Sequence, residues 1–447
     1  MPLAEKHAYR EAVREMIFHT YDGYMTHAFP HDELRPLSQT HTDSLVELGA
    51  ATPTRRGYAG VALTLIDSLD TLAIAGNVSE FERGVWWVSE HVSFDLDIEV
   101  SLFETNIRVL GGLLSAHLLA SGRIDGATHL TVRGYRGELL RLAVDLGERL
   151  LSAFDGCTTL PRAFVNLRGG KPRYNAKREQ CTAGIGTLLL EFGTLSRLSL
   201  DARFEEAALC ALRLLWSKRS QRNLLGNTLD VKSGAWRNPS AGIGAGIDSF
   251  YEYALKSYLV FGTSELYAIW NSSYSAALEH LRVGPWYGES NMYAGKAEVA
   301  AFDSLQAFWP ALQVLAGDVA AAAETQEAFH SLWSRFKVLP ERCAAAPNVP
   351  SAAARLPTAE RAVRRGPART GTMSTARRCT RRCRTILCAL SSQRALTRST
   401  APPATTATWR WAPKWCARLI RCASDGFRWL RMASDGFRWL PIASGGS

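Results

Sequence analysis

The sequence predicts an all-α protein built from many helical hairpins around one centre. Apolar residues recur at the i, i+3, i+4 spacing of amphipathic helices in one segment after another between residues 61 and 315. Gly, Pro and Asn separate these segments, as in Gly76-Asn77 and Gly284-Pro285. Strand patterns do not alternate with the helical ones, which argues against a layered α/β fold.

The helical segments follow in order from the N-terminus. Residues 1–25 carry charges throughout and predict an amphipathic helix, but they lack the apolar stretch of a signal peptide. Between helices, the segment Gly226–Asn238 predicts a small β-hairpin. No run of about 18 apolar residues occurs, so we expect no transmembrane helix. The apolar period predicts six further helices, at Val61–Ala75, Ile107–Ala120, Thr187–Leu198, Phe204–Trp216, Ser249–Phe261 and Leu305–Leu315.

The distribution of charge divides the chain at Arg342. The net charge of +10 on its own suggests a polyanionic partner. However, residues 343–447 hold 19 Lys and Arg against 3 Asp and Glu, whereas residues 1–342 hold 33 against 39. We therefore predict a helical domain at 1–342 and a low-complexity, Arg- and Ala-rich tail at 343–447. Because the basic character is confined to the tail, we expect no nucleic-acid partner.

The tail has no sustained helical or strand period. Its Arg bias is typical of a GC-rich coding region read in the wrong frame; a disordered basic tail and a novel module are the alternatives. The decamer at Ala423–Met432 recurs almost unchanged at Ala433–Ile442, but two short copies do not make a solenoid. The cysteines Cys379, Cys383 and Cys388 suggest zinc, yet no His accompanies them, so we predict no zinc site.

Two segments carry candidate carboxylates. Hydrolysis of a glycosidic bond needs one carboxylic acid to protonate the leaving oxygen and a second carboxylate to activate water or attack the sugar. In the first segment Glu104 and Arg108 are spaced i, i+4 near the start of a helix, and Gly111-Gly112 allows close packing. The Arg could hold a sugar hydroxyl or tune the acid. The spacing alone equally fits a solvated surface ion pair.

The second segment is a Gly-rich turn, Ala241–Ile247, that leads into a helix. Asp248 lies at or near the N-cap of this helix and Glu252 follows one turn later. An Asp in this position is also typical of an ordinary cap without a catalytic role. The turn is a poor dinucleotide-binding fingerprint, because no strand precedes it.

The amino-acid sequences of several long motifs resemble those of glycoside hydrolase family 47, the class I α-1,2-mannosidases. The resemblance covers residues of about 9 to 342 in family order, and AFPHDELRPL together with Gly246 points to the branch that enhances degradation in the endoplasmic reticulum. The motifs are Tyr21–Ser38, Leu63–Asn77, Phe103–Gly122, Thr182–Ser199, Gly242–Lys256, Phe302–Asp318 and Phe336–Arg342.

The resemblance implies an (αα)7 barrel that removes α-1,2-linked mannose from N-glycans of misfolded glycoproteins with inversion. It implies that Glu104 is the proton donor and Asp248 the second active-site carboxylate, with Arg108 as the helix neighbour of the acid. Glu191 and Glu252 match acidic groups that line the sugar pocket and bind substrate. The family also uses Ca²⁺, a hard cation suited to oxygen ligands.

After Arg342 the resemblance ends. The family continues with a segment of the form RPE-x-x-E-S, which carries its third active-site carboxylate, the base candidate, and later with a Thr that binds the calcium; neither follows Arg342 at the family's spacing. We therefore expect a barrel that is incomplete at its C-terminal end, no calcium ligand, and a glycosidase with little or no activity. The alternative is a quality-control factor that binds high-mannose glycans without cleaving them.

The family resemblance also implies residence in the lumen of the endoplasmic reticulum, with an oxidoreductase as a possible partner. Two glycosylation sequons, at Asn77 and Asn271, agree with this compartment. The missing signal peptide disagrees with this compartment, so we expect that the N-terminus of the sequence is incomplete.

Overall fold

The computed structural model describes residues 2–47, 58, 60–172, 178–297, 301–337 and 341–344. Of the predicted tail, only Cys343 and Ala344 belong to this set. The expectations about its disorder, its repeat and the closing part of the barrel lie outside the described residues.

Helices dominate the described part, as the apolar period predicts. The fourteen α-helices are α1 Leu3–His27, α2 Ser44–Glu47, α3 Leu63–Ala75, α4 Val78–His91, α5 Leu102–Glu104, α6 Gly111–Ala120, α7 Glu138–Leu151, α8 Thr182–Gly186, α9 Leu189–Ser199, α10 Arg203–Ser217, α11 Asp248–Phe261, α12 Ser264–His280, α13 Trp309–Ala316 and α14 Val319–Phe336. A π-helix spans Thr105–Leu110, and 3₁₀-helices span Thr128–Leu130 and Ser304–Phe308.

The described strands are only two or three residues long and lie between the helices. They are β1 Glu33–Arg35, β2 Thr40–Thr42, β3 Glu99–Ser101, β4 Phe164–Asn166, β5 Glu179–Cys181, β6 Thr228–Asp230, β7 Trp236–Asn238, β8 Ser240–Ala241, β9 Arg282–Val283, β10 Trp286–Tyr287, β11 Ser290–Asn291, β12 Ala301–Asp303 and β13 Arg342–Ala344. All pairs are antiparallel, in the orders β1-β2, β3-β4, β5-β6-β7, β8-β11, β9-β10 and β12-β13. The β6-β7 pair confirms the predicted hairpin at Gly226–Asn238.

The helices form an inner and an outer layer. The inner helices α3, α6, α9 and α11 pack against one another in chain order, while α4, α7, α10 and α12 cover them from outside. Helix α13 joins the inner layer through Trp309, whose ring lies 5.2 Å from that of Tyr251 in α11. One continuous apolar core extends from Tyr21 in α1 to Leu312 in α13.

Short turns set the direction of the inner helices. Gly76-Asn77, Gly262-Thr263 and Gly317-Asp318 each join an inner helix to the following outer one, so the two members of each pair are antiparallel. The inner helices therefore begin at one common end of the molecule. The short β-strands lie in the longer connections that lead to this end.

A disulfide that the sequence reasoning did not predict joins the outer layer. It links Cys157, which follows α7, to Cys210 in α10 across 53 residues of sequence. Such bonds are typical of proteins that fold in an oxidising compartment. In the described part of the chain, no helix is long and apolar enough to cross a membrane.

Candidate active site

The starting ends of the inner helices bring the candidate carboxylates to one end of the molecule. Glu104 ends α5 immediately before the π-helix that leads into α6, Glu191 lies in the first turn of α9, and Asp248 is the first residue of α11. A helix N-terminus carries a partial positive charge, which favours carboxylates. The fold therefore provides an end that accommodates several acidic side chains.

Glu104 and Arg108 form a buried ion pair. The Nε of Arg108 donates a hydrogen bond to Oε2 of Glu104 at 2.9 Å, and the two side chains are 10% and 8% exposed. Arg108 also reaches Oδ2 of Asp67 in α3 at 3.4 Å. Burial raises the pKa of Asp67, Arg108 opposes this rise and the charge of Glu104 adds to it. The interpretation as a solvated surface pair is therefore wrong.

The π-helix Thr105–Leu110 overlaps the start of the segment Ile107–Ala120, which the sequence predicts as a regular helix. Its wider turn is visible at Gly111, whose N–H bonds to the carbonyl of Asn106 five residues earlier. Glu104, Asn106 and Arg108 are all buried. Such short π-segments occur frequently at functional sites, and this one, with Glu104 before it and Thr105 at its start, belongs to a stretch of five residues that holds four buried polar side chains.

Glu191 lies inside the protein with hydrogen bonds to both carboxyl oxygens. Tyr253 donates from its hydroxyl to Oε1 at 2.7 Å, and Asn106 donates from Nδ2 to Oε2 at 2.8 Å. Burial raises the pKa of Glu191 to about 7, while the two hydrogen bonds and the charge of Lys256 oppose the rise. At neutral pH this carboxyl can both give and take a proton, which is the property of a general acid or base.

Asp248 is 4% exposed and is not a side-chain cap in the usual position. Its Oδ1 accepts hydrogen bonds from the N–H and the hydroxyl of Ser249, at 2.7 and 3.3 Å. The hydroxyl of Ser249 in turn accepts from Thr187 at 3.0 Å. The carbonyl of Thr187 accepts from Asn106 at 3.2 Å, so a chain of hydrogen bonds connects Asp248 with the residue that holds Glu191.

Cys181 shows that Glu104 and Asp248 lie in the same region. Burial raises the pKa of the Cys181 thiol to about 11, and the negative charges of Asp248 and Glu104 both add to the rise. Both carboxylates are therefore close enough to act on one sulfur. Cys181 precedes α8, which packs against both α5 and α11.

A cavity of about 270 Å³ lies between the inner helices. Glu191 and Glu252 line it, together with Asp67, whereas Glu104, Arg108 and Asp248 do not. Arg108 adjoins the cavity through Asp67, and Asp248 through its neighbour Ser249, which is in the wall. The cavity is close to the lower end of the roughly 300–1,000 Å³ that is usual for small-molecule sites, so it suits a single sugar ring better than a branched glycan.

Glu252 carries a partner in the wall of this cavity. The Nζ of Lys256 lies 2.6 Å from Oε1 of Glu252, one turn away on α11. Asp70 on α3 is a further acidic residue in the lining. Four carboxyl groups thus line one small space with one lysine, an arrangement suited to sugar hydroxyls or to a ligand that gains positive charge.

Sequence reasoning did not identify several residues of this site. Asp67 lies 41 positions from Arg108, and Tyr253 lies 62 positions from Glu191, so no local spacing connects them. Asn106 lies within the motif that contains Glu104, and its polar side chain in an apolar helical segment was the available signal.

The two sequons lie on the outer layer of helices. Asn77 is the N-cap of α4 and accepts the N–H of Glu80 at 3.3 Å. Asn271 is exposed on α12, while Ser273 of the same sequon is buried and bonds to the carbonyl of Trp270. Glycosylation of either asparagine stays a prediction.

The residues that the structure describes do not supply a grouped set of metal ligands. No cluster of three or more His, Cys, Asp or Glu side chains in this part of the chain could hold a metal ion. The calcium requirement implied by the sequence resemblance therefore has no fitting ligand set here, and we derive no chemical step through calcium.

Comparison with known families gives one extensive match. Residues 16–381 match the family described as glycosyl hydrolase family 47, which is more than half of the chain. The match continues beyond Arg342, where the charge distribution changes.

Individual relatives carry related names. The protein named alpha-mannosidase I MNS5 of Arabidopsis thaliana is 54% identical over 342 residues, which is 76% of this chain and 58% of the relative. ER degradation-enhancing alpha-mannosidase-like protein 2 of Homo sapiens is 43% identical over 334 residues, which is 74% of this chain and 55% of the relative. This chain thus spans between half and three fifths of the length of these two proteins.

A solved structure supports the fold. An alpha-1,2-mannosidase from Trichoderma reesei superposes with a TM-score of 0.65 at 24% sequence identity, over 75% of this chain and 71% of that one. The mostly helical architecture of the described residues therefore agrees with that of a known glycosidase.

Proposed function

Because the chain belongs to glycosyl hydrolase family 47, we propose that it is an inverting α-1,2-mannosidase-type enzyme that trims high-mannose N-glycans of misfolded glycoproteins. The observation that carries this proposal is the buried Glu104–Arg108 pair, which contacts Asp67 in the wall of a cavity lined by carboxyl groups, while Asp248 bonds to Ser249 in the same wall. A surface ion pair or an ordinary helix cap would not need these side chains to lie beside one cavity.

The chemistry follows from the roles of two carboxyl groups. In inversion one carboxyl protonates the leaving oxygen while another activates a water on the opposite face of the sugar, and the two stand about 6.5–9.5 Å apart. We assign proton donation to Glu104, whose carboxyl orientation is fixed by Arg108. Asp248 is the second active-site carboxylate, distinct from the base candidate in the family's RPE-x-x-E-S segment, and Glu191 and Glu252 bind sugar hydroxyls in the cavity.

Two observations support a cellular compartment for this protein. Relatives carry names that refer to degradation enhancement in the endoplasmic reticulum, and Cys157–Cys210 is a bond typical of an oxidising compartment. We therefore propose the lumen of the endoplasmic reticulum as its location. An oxidoreductase partner and a calcium requirement remain proposals that rest on the family resemblance alone.

The alternative function is recognition of mannose-rich glycans without cleavage. It is favoured by the sequence after Arg342, where the family's RPE-x-x-E-S segment with the base candidate does not follow. The same observation makes us propose that turnover by this chain is impaired. Under the alternative, the cavity acidic groups still bind sugar hydroxyls, but no group activates the water.

Mannose release separates these two functions. We would incubate the full chain with a high-mannose oligosaccharide and calcium, measure free mannose, and repeat the assay with Glu104→Gln. Loss of a general acid typically reduces turnover by about 10²–10⁴-fold, so slow release that disappears in Glu104→Gln supports the enzyme. Glu265→Gln, which alters a surface pair with Arg213, is the matched control.

Glycan binding without release, weakened by Glu191→Gln, would decide for the alternative function. Release that persists unchanged in Glu104→Gln would contradict the assignment of Glu104. A chain that neither binds nor cleaves the oligosaccharide would contradict both functions.

A further inference from the structure

The carboxyl of Glu191 is held from two different elements. We propose that Asn106 and Tyr253 are positioning residues, which fix the Glu191 carboxyl in the cavity wall with one donated hydrogen bond on each oxygen and thereby control when it ionises. The inference deepens the proposed function and rests on it, since Glu191 is taken to face the sugar.

Asn106 is fully buried on the π-helix. Its Nδ2 donates to Oε2 of Glu191 at 2.8 Å and to the carbonyl of Thr187 at 3.2 Å. Its Oδ1 is buried and has no hydrogen-bond partner among the described residues. An unpaired buried polar atom is costly, and it persists where the rest of the side chain has a specific role. That role is to join Glu191 to the segment before α9.

Tyr253 approaches Glu191 from α11. Its hydroxyl donates to Oε1 at 2.7 Å, and its side chain lines the same cavity as Glu191. Helix α11 also begins with Asp248, so the same helix carries a candidate catalytic carboxylate and a donor to Glu191. A shift of α11 would therefore disturb both groups together.

The two donors favour the ionised form of Glu191, because a hydrogen bond to a carboxylate stabilises its charge. Burial acts in the opposite direction, and the balance leaves the pKa of Glu191 near 7. The other charged side chains nearby are Lys256 and Glu252 on α11, Asp67 and Asp70 on α3, and Arg108 on the π-helix. Of these, Lys256 adds to the stabilisation of the carboxylate.

The experiment follows the ionisation of Glu191 directly. Infrared difference spectra of the full chain between pH 5 and 9 would be assigned with Glu191→Gln, whose spectrum lacks this carboxyl. Removal of one donor in Tyr253→Phe, which keeps the ring, should raise the pKa of Glu191 by about one unit. Asn106→Ser replaces the amide with a shorter hydroxyl side chain that no longer spans the 2.8 Å contact to Oε2, and it should shift the pKa in the same direction.

The control is Tyr274→Phe, because Tyr274 also donates to a carboxylate, Oδ2 of Asp318 at 2.9 Å, but does not line the cavity. A residue with a merely structural role lowers stability without moving the Glu191 titration. An unshifted titration in folded Tyr253→Phe and Asn106→Ser, as checked by circular dichroism, would overturn the proposal. If Tyr253→Phe does not fold, Asn106→Ser alone decides.

The pH profile of oligosaccharide binding links this result to the site. We expect the profile of Tyr253→Phe to move to higher pH together with the Glu191 titration. A titration that shifts in a chain that binds no oligosaccharide at any pH would support the positioning of Glu191 and contradict only the proposed function.

Discussion

Two acid–base pairs with the same sequence spacing have different surroundings in this protein. Glu104 and Arg108 lie beside the cavity with side chains 8% and 10% exposed. Asp145 and Arg149 on the outer helix α7 have the same i, i+4 spacing and a similar contact distance of 3.0 Å, but their exposures are 44% and 22%. The i, i+4 spacing predicts that an ion pair forms. The layer in which the helix lies decides how buried the pair is, and therefore how much free energy of unfolding is lost when it is broken.

The largest expected difference between the two pairs is in stability. Arg108→Met leaves the charges of Glu104 and Asp67 without their shared partner, and breaking a buried pair typically costs about 3–5 kcal/mol. Asp145→Asn removes the acid of the exposed pair and should cost less than about 1 kcal/mol. Urea denaturation of both variants measures the two free energies of unfolding, and equal losses would remove the distinction.

Neighbouring glycines provide a second contrast between crowded and open positions. A Cβ on Gly112 would lie 2.6 Å from the backbone oxygen of Ile66 in α3, whereas the nearest atom to a Cβ on Gly111 is 3.6 Å away, on Glu191. Gly112→Ala should therefore separate α3 from α6 and cost about 1–3 kcal/mol. Gly111→Ala should be tolerated. Thermal unfolding of both variants checks this, and equal tolerance would show that the helices are not closely packed there.

The smallest effect concerns pH. Because the pKa of Glu191 is raised to about 7 from its ordinary 4.5, the folded protein binds a proton that the unfolded chain releases between these values. The free energy of unfolding should therefore fall by roughly 1 kcal/mol per pH unit from this group as pH rises from about 5 to 7. Glu191→Gln should remove this slope, as measured by denaturation at several pH values.

Glu265 is the matched surface carboxylate for this test. Arg213 lowers the pKa of Glu265, so its titration lies below the range from pH 5 to 7. Glu265→Gln should leave the slope in that range unchanged. If both variants retain the slope of the wild-type protein, another buried group, such as Asp32 with a pKa raised by burial to about 6, would account for it.

The sequence was sufficient to predict some of the helices and the partners within one motif, whereas α4, α7, α12 and α14 were not among the predicted segments. The apolar period placed α3, α9, α10 and α11 within about two residues of their ends, because each of these helices buries one continuous stripe. The i, i+4 spacing likewise predicted the contact between Glu104 and Arg108. These features depend on residues that are close in the chain.

Features that depend on distant residues were not predicted. The contact of Arg108 with Asp67 and that of Glu191 with Tyr253 join different helices, and the Cys157–Cys210 bond spans 53 residues. The π-helix keeps the apolar pattern of an α-helix, so its extra residue per turn leaves little trace in the sequence. These contacts decide which of the candidate carboxylates line the cavity, so the sequence did not predict the lining either.

The turn that follows α11 is a position at which the protein could be labelled. Helix α11 has 14 residues, so Gly262 and Thr263 lie about 20 Å from Asp248 along its axis. A Cβ at Gly262 would meet no other atom within 4 Å, and Thr263 is exposed. A short peptide tag or dye-bearing loop inserted between these two residues would label the molecule at the end of α11 that lies away from Asp248.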